Sequence, residues 1–548
     1  MRDTVAALGQ REFDVVIIGG GITGAGVARD AAMRGLRVAL VEQNDFASGT
    51  SSRSSRLVHG GVRYLERGHV ALVFEASRER RTLLRIAPHL VRPLRFTWPV
   101  YRGARIARWK LAVGLALYDT LALFRNVGRH RRMNVRDVRA SEPLIRVEGL
   151  LGGACYWDAS TDDARLTLAN VLSARDAGAI AVNHARVVAL LRHGERITGV
   201  RVADLGGDGR VIDVRARLVV NATGPWSDVV ESLAHQEDVP AVRSSKGVHI
   251  IVPRGRIGNS AALTLTAPSD GRVMFVLPAG AFAIIGTTDT YDTVSPDDVR
   301  AGEDDIAYLL DAANYYFPDA HLARTDVVSA WAGLRPLAAF GGSRAGTPSS
   351  ASREYAIALT VPGLLRVTGG KLTTYRSMAA QVTDAVERAL GLRPTPCTTA
   401  QWALSGGAIP DLDETIGDAI AATGDRAIAE RLVGAHGSAW RAVWAAVETD
   451  VSMRVRVVSE LPYLLAELRY AVVHELACTL GDLLIRRTPI AFETRDHGAD
   501  VARMIAPAFA RWLGHPASWC ADAIAEYDLE TRRMFGNGPT TGTGPSAG

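Results

Sequence analysis

The chain has 548 residues, 47% of them hydrophobic and 22% charged, with a formal net charge of +5. That length exceeds what a single core serves, so two or three domains are expected, and the composition is ordinary for a folded soluble protein. So small a charge over this length makes no case for nucleic acid, although it suits an anionic small substrate or an anionic membrane surface.

Arg11 and Glu12 interrupt any signal-peptide core, and the next apolar run reads as a strand. "FDVVIIGGGITGAGVARDAAMRGLRVALVEQ" opens with a β-branched run at 13–18, continuously apolar as a strand buried on both faces must be. A glycine turn leads into a helix over about 23–34; Gly35 ends it, and "LRVALVE" is the second parallel strand. Gly19, Gly21 and Gly24 form GxGxxG. The first permits the tight turn, the second lets backbone N–H groups approach a pyrophosphate, and the third lets helix and strand pack closely. Glu42 ends the second strand 18 residues after Gly24, where an acid accepts ribose hydroxyls; an acid there argues against a 2′-phosphate. A polar loop follows at 47–56. The apolar stretch "LAVGLALYDTLALF" (111–124) is too short to span a bilayer, contains Asp119 and is flanked by Lys110 and Arg125, so a buried or interfacial helix is expected and no transmembrane helix.

Strands are expected at 210–223, 247–253 and 364–369, with a hairpin over 272–289 turning at Pro278–Gly280. Residues 302–317 have helical spacing and an acidic first turn. A further helix over about 371–390 follows Gly369 and Gly370, offering backbone donors to an electron-rich ring edge. Lys371 opens it, one of only three lysines among 63 basic residues. Three features favour FAD over NAD: the loop "GTSSRSSRLVHGGVRYLERG" (49–68), the strand-to-turn "VVNATGPW" (219–226), and the glycine turn "VTGGKLTTY".

Past about 393 a Pro-rich bridge leads to helical segments. In 459–487 Ser459 suits a cap, Pro462 a first turn, and Leu461, Leu465, Leu468, Val472 and Leu476 one helix face. A helical domain at about 395–530 and a disordered tail at 535–548 are expected. Cys155, Cys397, Cys478 and Cys520 lie far apart with no metal-ligand spacing, so they read as reduced thiols, and no metal is expected.

The glycine-turn unit with Glu42, "TSSRSSRLVHGGVRYLE", "DDARL" (162–166), "NATGPW", "KGVHIIVP", "GTTD" (286–289), "GLRPL" (333–337) and "GGKLTTYR" occur in that order. Together they resemble the FAD-dependent glycerol-3-phosphate dehydrogenase family, the quinone-linked respiratory enzymes, over about residues 12–390 and more loosely beyond. The resemblance implies an α/β fold: an FAD-binding Rossmann-like domain of the glutathione-reductase/D-amino-acid-oxidase type (about 12–68, 155–225 and 355–390), a mixed-sheet substrate domain (about 69–154 and 226–354) and an all-α C-terminal domain. It implies FAD held by Gly19, Gly20, Gly21, Ile22, Thr23, Gly24, Glu42, Thr50, Ser51, Ser52, Ala222, Gly224, Trp226, Gly369, Gly370, Lys371, Leu372 and Thr373; no cysteine lies beside these motifs, so the flavin is read as noncovalent.

The implied reaction, in glycerol and glycerophospholipid catabolism, oxidises sn-glycerol 3-phosphate to dihydroxyacetone phosphate and passes electrons to a membrane quinone. Arg63, Tyr64, Arg335, Arg353 and Lys371 match substrate-holding positions. Arg63, Arg353 and Lys371 suit the phosphate, and Arg335 lies nearer the hydroxyl. His59 and His249 compete as proton acceptor, with either imidazole suited to general-base work, and sequence does not choose between them. A chain without a span that serves a quinone must dock peripherally on the inner face of the cytoplasmic membrane, with the basic-flanked segment 105–125 and the Arg-rich helical domain as candidate surfaces; a homodimer is compatible with this reading. The competing readings are a glycerol-3-phosphate oxidase using O₂, an FAD amine or amino-acid oxidase, and a non-catalytic dinucleotide-binding or RNA-modifying protein that keeps only the N-terminal unit.

Overall fold

The structure is a computed structural model, and it describes residues 5–62, 69–121, 127–207, 209–237, 244–292, 294–336 and 355–536. Two sheets organise it. Val15, Val16 and Ile17 of Phe13–Ile18 are fully buried, as the continuous apolar run requires. This strand pairs in parallel with Val38–Val41 on one side and Val211–Asn221 on the other. Parallel pairing extends the sheet to Ile180–Val182 and Leu364–Gly369; an antiparallel edge, Tyr355–Val361, and the hairpin Ala185–His193/Arg196–Asp204 bring the described strands to eight. The helices Ile22–Met33, Asp163–Asp176 and Tyr375–Ala389 cover one face, their alanines and valines packed on Val15, Ile17 and Val220.

The second sheet has ten described strands centred on Ser244–Pro253, which pairs antiparallel with Phe282–Gly286, Thr290–Asp292 and Ser329–Pro336. The expected hairpin is present as Val273–Ala279 and Phe282–Gly286. Long pairing between Val91–Tyr101 and Leu150–Thr161 extends this sheet, and Leu57–Val58 joins its edge. Two boundaries are thereby corrected. Residues 57–58 and 155–161, assigned from sequence to the nucleotide domain, belong to the second sheet, because a strand is placed by its partners rather than by its neighbours in sequence. Helix Ser227–His235, assigned to the substrate domain, packs its Val230 and Ala234 into the core of the first sheet.

The C-terminal region is helical, from Leu412–Thr423 to Trp519–Phe535. The helix read across 459–487 is shorter. It runs only Leu465–His474, and Ser459 and Pro462 precede it in a segment closed by an Arg456–Leu464 bridge. Leu476 sits at a φ of 65°, and a separate wide turn, Asp482–Arg487, follows. The break lets the Asp482 carboxylate accept from the backbone N–H groups of Cys478 and Thr479, which a continuous helix would have bonded internally. The last helix runs past the expected tail boundary, since Phe535 is buried against Phe492 and His497. The apolar stretch from 111 falls in helix Arg108–Leu121, with Leu111, Leu115 and Tyr118 in the core and Trp109, Val113 and Leu117 exposed. No helix among the described residues is long and apolar enough to cross a membrane.

Candidate active site

One cavity of about 590 Å³ joins the two sheets. Its far end is the glycine turn. Gly19 has a φ of 105°, and a Cβ on Gly24 would lie 1.9 Å from the Gly19 carbonyl oxygen, so close helix–strand packing demands both glycines. Gly21 differs: a Cβ there would approach only Ser51 Oγ, at 3.2 Å, and otherwise enter the cavity. As N-cap of Ile22–Met33 it has no side chain to bond the helix end, and Ile22 N donates instead to Ser51 Oγ at 2.9 Å. Glu42 accepts from Gly20 N (2.7 Å) and Asn44 N (2.9 Å). Burial pushes its carboxyl up and the two N–H groups pull it down. Its carboxylate therefore tethers the glycine turn as well as facing the cavity.

Gly19, Gly21, Ile22, Thr23, Glu42, Thr50, Ser51, Ala222, Gly224 and Trp226 line this end. Gly20, Gly24 and Ser52, expected at the cofactor, stand behind the lining: a Cβ on Gly20 would strike Phe46 and the Glu42 side chain. The turn with an open second glycine, a helix N-terminus and an acid at the ribose position fits a flavin dinucleotide.

The near end lies where the second sheet meets the 369–373 turn. Gly369 and Gly370 have φ of 81° and 95°, and they bring Lys371, Leu372 and Thr373 to the cavity wall. Thr373 Oγ1 accepts from His59 N (3.1 Å) and can donate to His59 O (3.3 Å), so this turn fixes the "HGG" backbone. Gly60 N donates to Asp158 Oδ1 (3.0 Å), which also takes the Tyr118 hydroxyl (2.6 Å) and pairs with Arg80. Arg335 lies across Gly247, where a Cβ would come 2.3 Å from its Nη2. It donates to Thr287 Oγ1 (2.9 Å), Ser245 Oγ (3.3 Å) and Asp289 Oδ1 (3.3 Å), a fork held for an anionic or hydroxylic ligand.

His249 is 2% exposed and stacks on Trp331, ring centroids 5.3 Å apart. Burial, then the Arg335 and Arg56 cations, push it down to about 3, so its imidazole is neutral near pH 7. Its Nε2 lies 2.8 Å from Ser55 Oγ, and its Nδ1 is buried without a hydrogen-bond partner among the described residues. His59, His249, Arg335 and Lys371 are thus brought together. Arg63, Tyr64 and Arg353 lie outside the described residues.

Ser55, Trp331, Thr287 and Asp163 were not singled out from sequence. Asp163 accepts from Ser54 N (3.0 Å) and Ser54 Oγ (2.6 Å), and burial raises its carboxyl to about 6 against the pull of Arg56 and those bonds. "SSRSS" and "DDARL" both stood out as motifs, yet nothing in either points to the other.

Among the described residues one His/Cys/Asp group, His184, Cys478 and Asp482, brings its ligand-type atoms within 4.8 Å of one another, away from the cavity. Asp482 already accepts from Cys478 N, Thr479 N, Thr479 Oγ1 and Arg486, and the adjacent guanidinium opposes a metal cation. The group is an ion-pair network: Asp482 holds His184 in its charged form, well above the usual imidazole range despite burial.

The fold and this cavity define a two-sheet flavin-dinucleotide oxidoreductase, and comparison with known proteins agrees. Residues 14–376 match the family model for FAD dependent oxidoreductases, and 397–519 match the C-terminal domain of alpha-glycerophosphate oxidase. The aerobic glycerol-3-phosphate dehydrogenase of Staphylococcus saprophyticus is 35% identical over 520 residues, covering 93% of this chain and 92% of the relative. Glycerol-3-phosphate dehydrogenase 2 of Mycobacterium tuberculosis is 40% identical over 530 residues, covering 95% and 88%. The structure of the glycerol-3-phosphate dehydrogenase from Bacillus halodurans complexed with FAD superposes with a TM-score of 0.79 at 31% identity, covering 97% of this chain and 96% of that one. The chain belongs to the FAD-dependent glycerol-3-phosphate dehydrogenase family.

Proposed function

We propose that this chain oxidises sn-glycerol 3-phosphate to dihydroxyacetone phosphate and that its electrons pass to a membrane quinone. The observation that carries the reading is the single cavity, which runs from an open dinucleotide turn to a cluster containing Arg335, Lys371 and two imidazoles. Such a cluster suits an alcohol that carries a phosphate. Bound FAD supplies the two-electron acceptor that takes the C2 hydrogen with its electron pair. The chain's own work is to hold the phosphate, fix the C2 hydroxyl and remove its proton. Lys371, with Arg63 and Arg353, is assigned to the phosphate, and Arg335 to the hydroxyl end. His249 or His59 is assigned to the proton. A cation held by Thr287 and Asp289 meets the substrate without reorganising, which is where preorganised electrostatics contribute most.

The quinone acceptor entails docking at the inner face of the cytoplasmic membrane, and the outer face of helix Arg108–Leu121 supports it. Trp109 is 65% exposed and Val113 59%, beside the exposed cations Arg108 and Lys110. The test is anaerobic mixing of the flavin-loaded protein with glycerol 3-phosphate, followed by reoxidation with a quinone analogue or with O₂. Bleaching of the flavin and faster reoxidation by quinone are expected. No bleaching would overturn the substrate assignment, and equal or faster reoxidation by O₂ would make the protein an oxidase.

A further inference from the structure

His249 lies in the cavity wall, and its two nitrogens differ in what they meet. Nδ1 is buried without a hydrogen-bond partner among the described residues, and the residue as a whole is 2% exposed. Nε2 faces Ser55 Oγ at 2.8 Å. Ser55 itself is half-buried and lines the cavity beside Gly247, His59 and Arg335. The ring has no freedom to swing out. Trp331 is stacked on one face at an interplanar angle of 14°, and Gly286 lies so near the edge that a Cβ there would sit 2.2 Å from His249 Cδ2. The hydroxyl of Ser55 therefore holds Nε2 at the cavity wall, while Nδ1 faces away into the buried protein.

We propose that Ser55 is a catalytic proton relay, its Oγ taking the proton of the substrate hydroxyl while passing its own proton to His249 Nε2. This rests on the alcohol-oxidation reading above. The O–H bond of the substrate breaks and its proton joins Ser55 Oγ; the Ser55 O–H bond breaks and an N–H bond forms at Nε2. The C2 hydrogen departs with its electron pair, the C2–O bond becomes a carbonyl, and the chain is left with serine restored and imidazolium at position 249. The relay requires Nε2 as acceptor, hence the tautomer with the proton on Nδ1. Ser55 donates to a ring fixed by packing, so its rotor is set before substrate arrives, as preorganised proton transfer requires.

Four variants test this: Ser55→Ala, Ser55→Thr, His249→Gln and the Ser55→Ala/His249→Gln double variant, each followed by anaerobic flavin reduction and by the KM for glycerol 3-phosphate. Ser55→Ala is expected to slow flavin reduction by about 10²-fold or more with KM within about 2-fold. Ser55→Thr, which restores the hydroxyl, recovers most of the rate. Ser55→Ala added to His249→Gln costs little more, because the two act as one unit. A ¹⁵N spectrum of histidine-labelled wild-type protein reads the tautomer independently of turnover, and Nε2 should appear unprotonated. Unchanged reduction in Ser55→Ala, multiplicative losses in the double variant, failure of threonine to rescue, or a protonated Nε2 would each overturn the relay. If wild-type protein is itself inert toward glycerol 3-phosphate, the substrate assignment has failed, and the ¹⁵N spectrum still decides the tautomer.

Discussion

Arg487 reaches from the C-terminal region to Asp45, three residues past the acid at the dinucleotide site, and grips it with both guanidinium nitrogens at 2.6 and 2.9 Å. The pair is 2% and 0% exposed. Arg486 adds a third bond to Asp45, and Asn183 a fourth. Removing a buried partner outright costs about 3–5 kcal/mol, and because Arg486 and Asn183 still hold Asp45, losing Arg487 should cost a part of that. Arg487→Ala should therefore lower the denaturation midpoint and, because Asp45 anchors the loop after Glu42, release FAD faster. Both are read by denaturant titration and by flavin fluorescence; an unaltered midpoint would show that the contact contributes nothing to the fold.

The second and third glycines of GxGxxG should respond differently to added bulk. Gly21→Val puts its methyls into the cavity from an ordinary backbone conformation, so the protein should fold and purify without FAD. Gly24→Ala meets the Gly19 carbonyl at 1.9 Å and should destabilise the fold itself. Circular dichroism and flavin absorbance separate the outcomes. A folded Gly21→Val protein with stoichiometric flavin would sink the dinucleotide assignment.

Arg335 is expected to act in binding and turnover together. Arg335→Ala should cost about 2–4 kcal/mol in kcat/KM for glycerol 3-phosphate. Thr287→Val, which removes the 2.9 Å bond that aims the guanidinium, should cost less and leave the flavin spectrum unchanged. Steady-state kinetics on both variants check the order, and a larger loss from Thr287→Val would reassign the dominant role.

The buried His249 makes stability depend on pH. Its folded value lies near 3 against an ordinary 6.5, so the unfolded chain binds the proton more readily. Its contribution is fully present above about 6.5 and is lost as pH falls toward about 3, at a slope approaching about 1.4 kcal/mol per pH unit. His249→Gln should flatten that part of the curve. Unfolding free energies of the two proteins between pH 7 and 4 measure the difference, and parallel curves would mean that the imidazole is not neutral in the fold.

Membrane docking through helix Arg108–Leu121 predicts flotation with anionic vesicles that weakens in high salt and disappears with neutral lipid. Trp109→Ser with Val113→Ser should abolish flotation while leaving glycerol 3-phosphate oxidation by a soluble dye intact, since neither side chain is in the core. Flotation that survives both substitutions would move the docking surface to the helical C-terminal region.

What the amino-acid sequence determined by itself was local. Phe13–Ile18, the glycine turn, helix Ile22–Met33 and the hairpin at 278–280 follow from β-branched runs, positive-φ glycines and turn chemistry acting within a few residues. The same locality made Gly19, Gly21, Glu42 and the Gly369–Lys371 turn legible as site residues. The tertiary structure alone decided which distant groups meet. Ser55 and His249 are 194 positions apart, His59 and Thr373 are 314, and Asp45 and Arg487 are 442. Sequence could not rank His249 against His59, because what distinguishes them is the stacking of Trp331 and the bond from Ser55, both set by strand register and loop path. The stretch 459–487 misled for the same reason. Its apolar spacing is helical, but Asp482 and Glu475 are drawn to His184 and Arg165 across the domain boundary. Satisfying those buried charges outweighs continuing one helix.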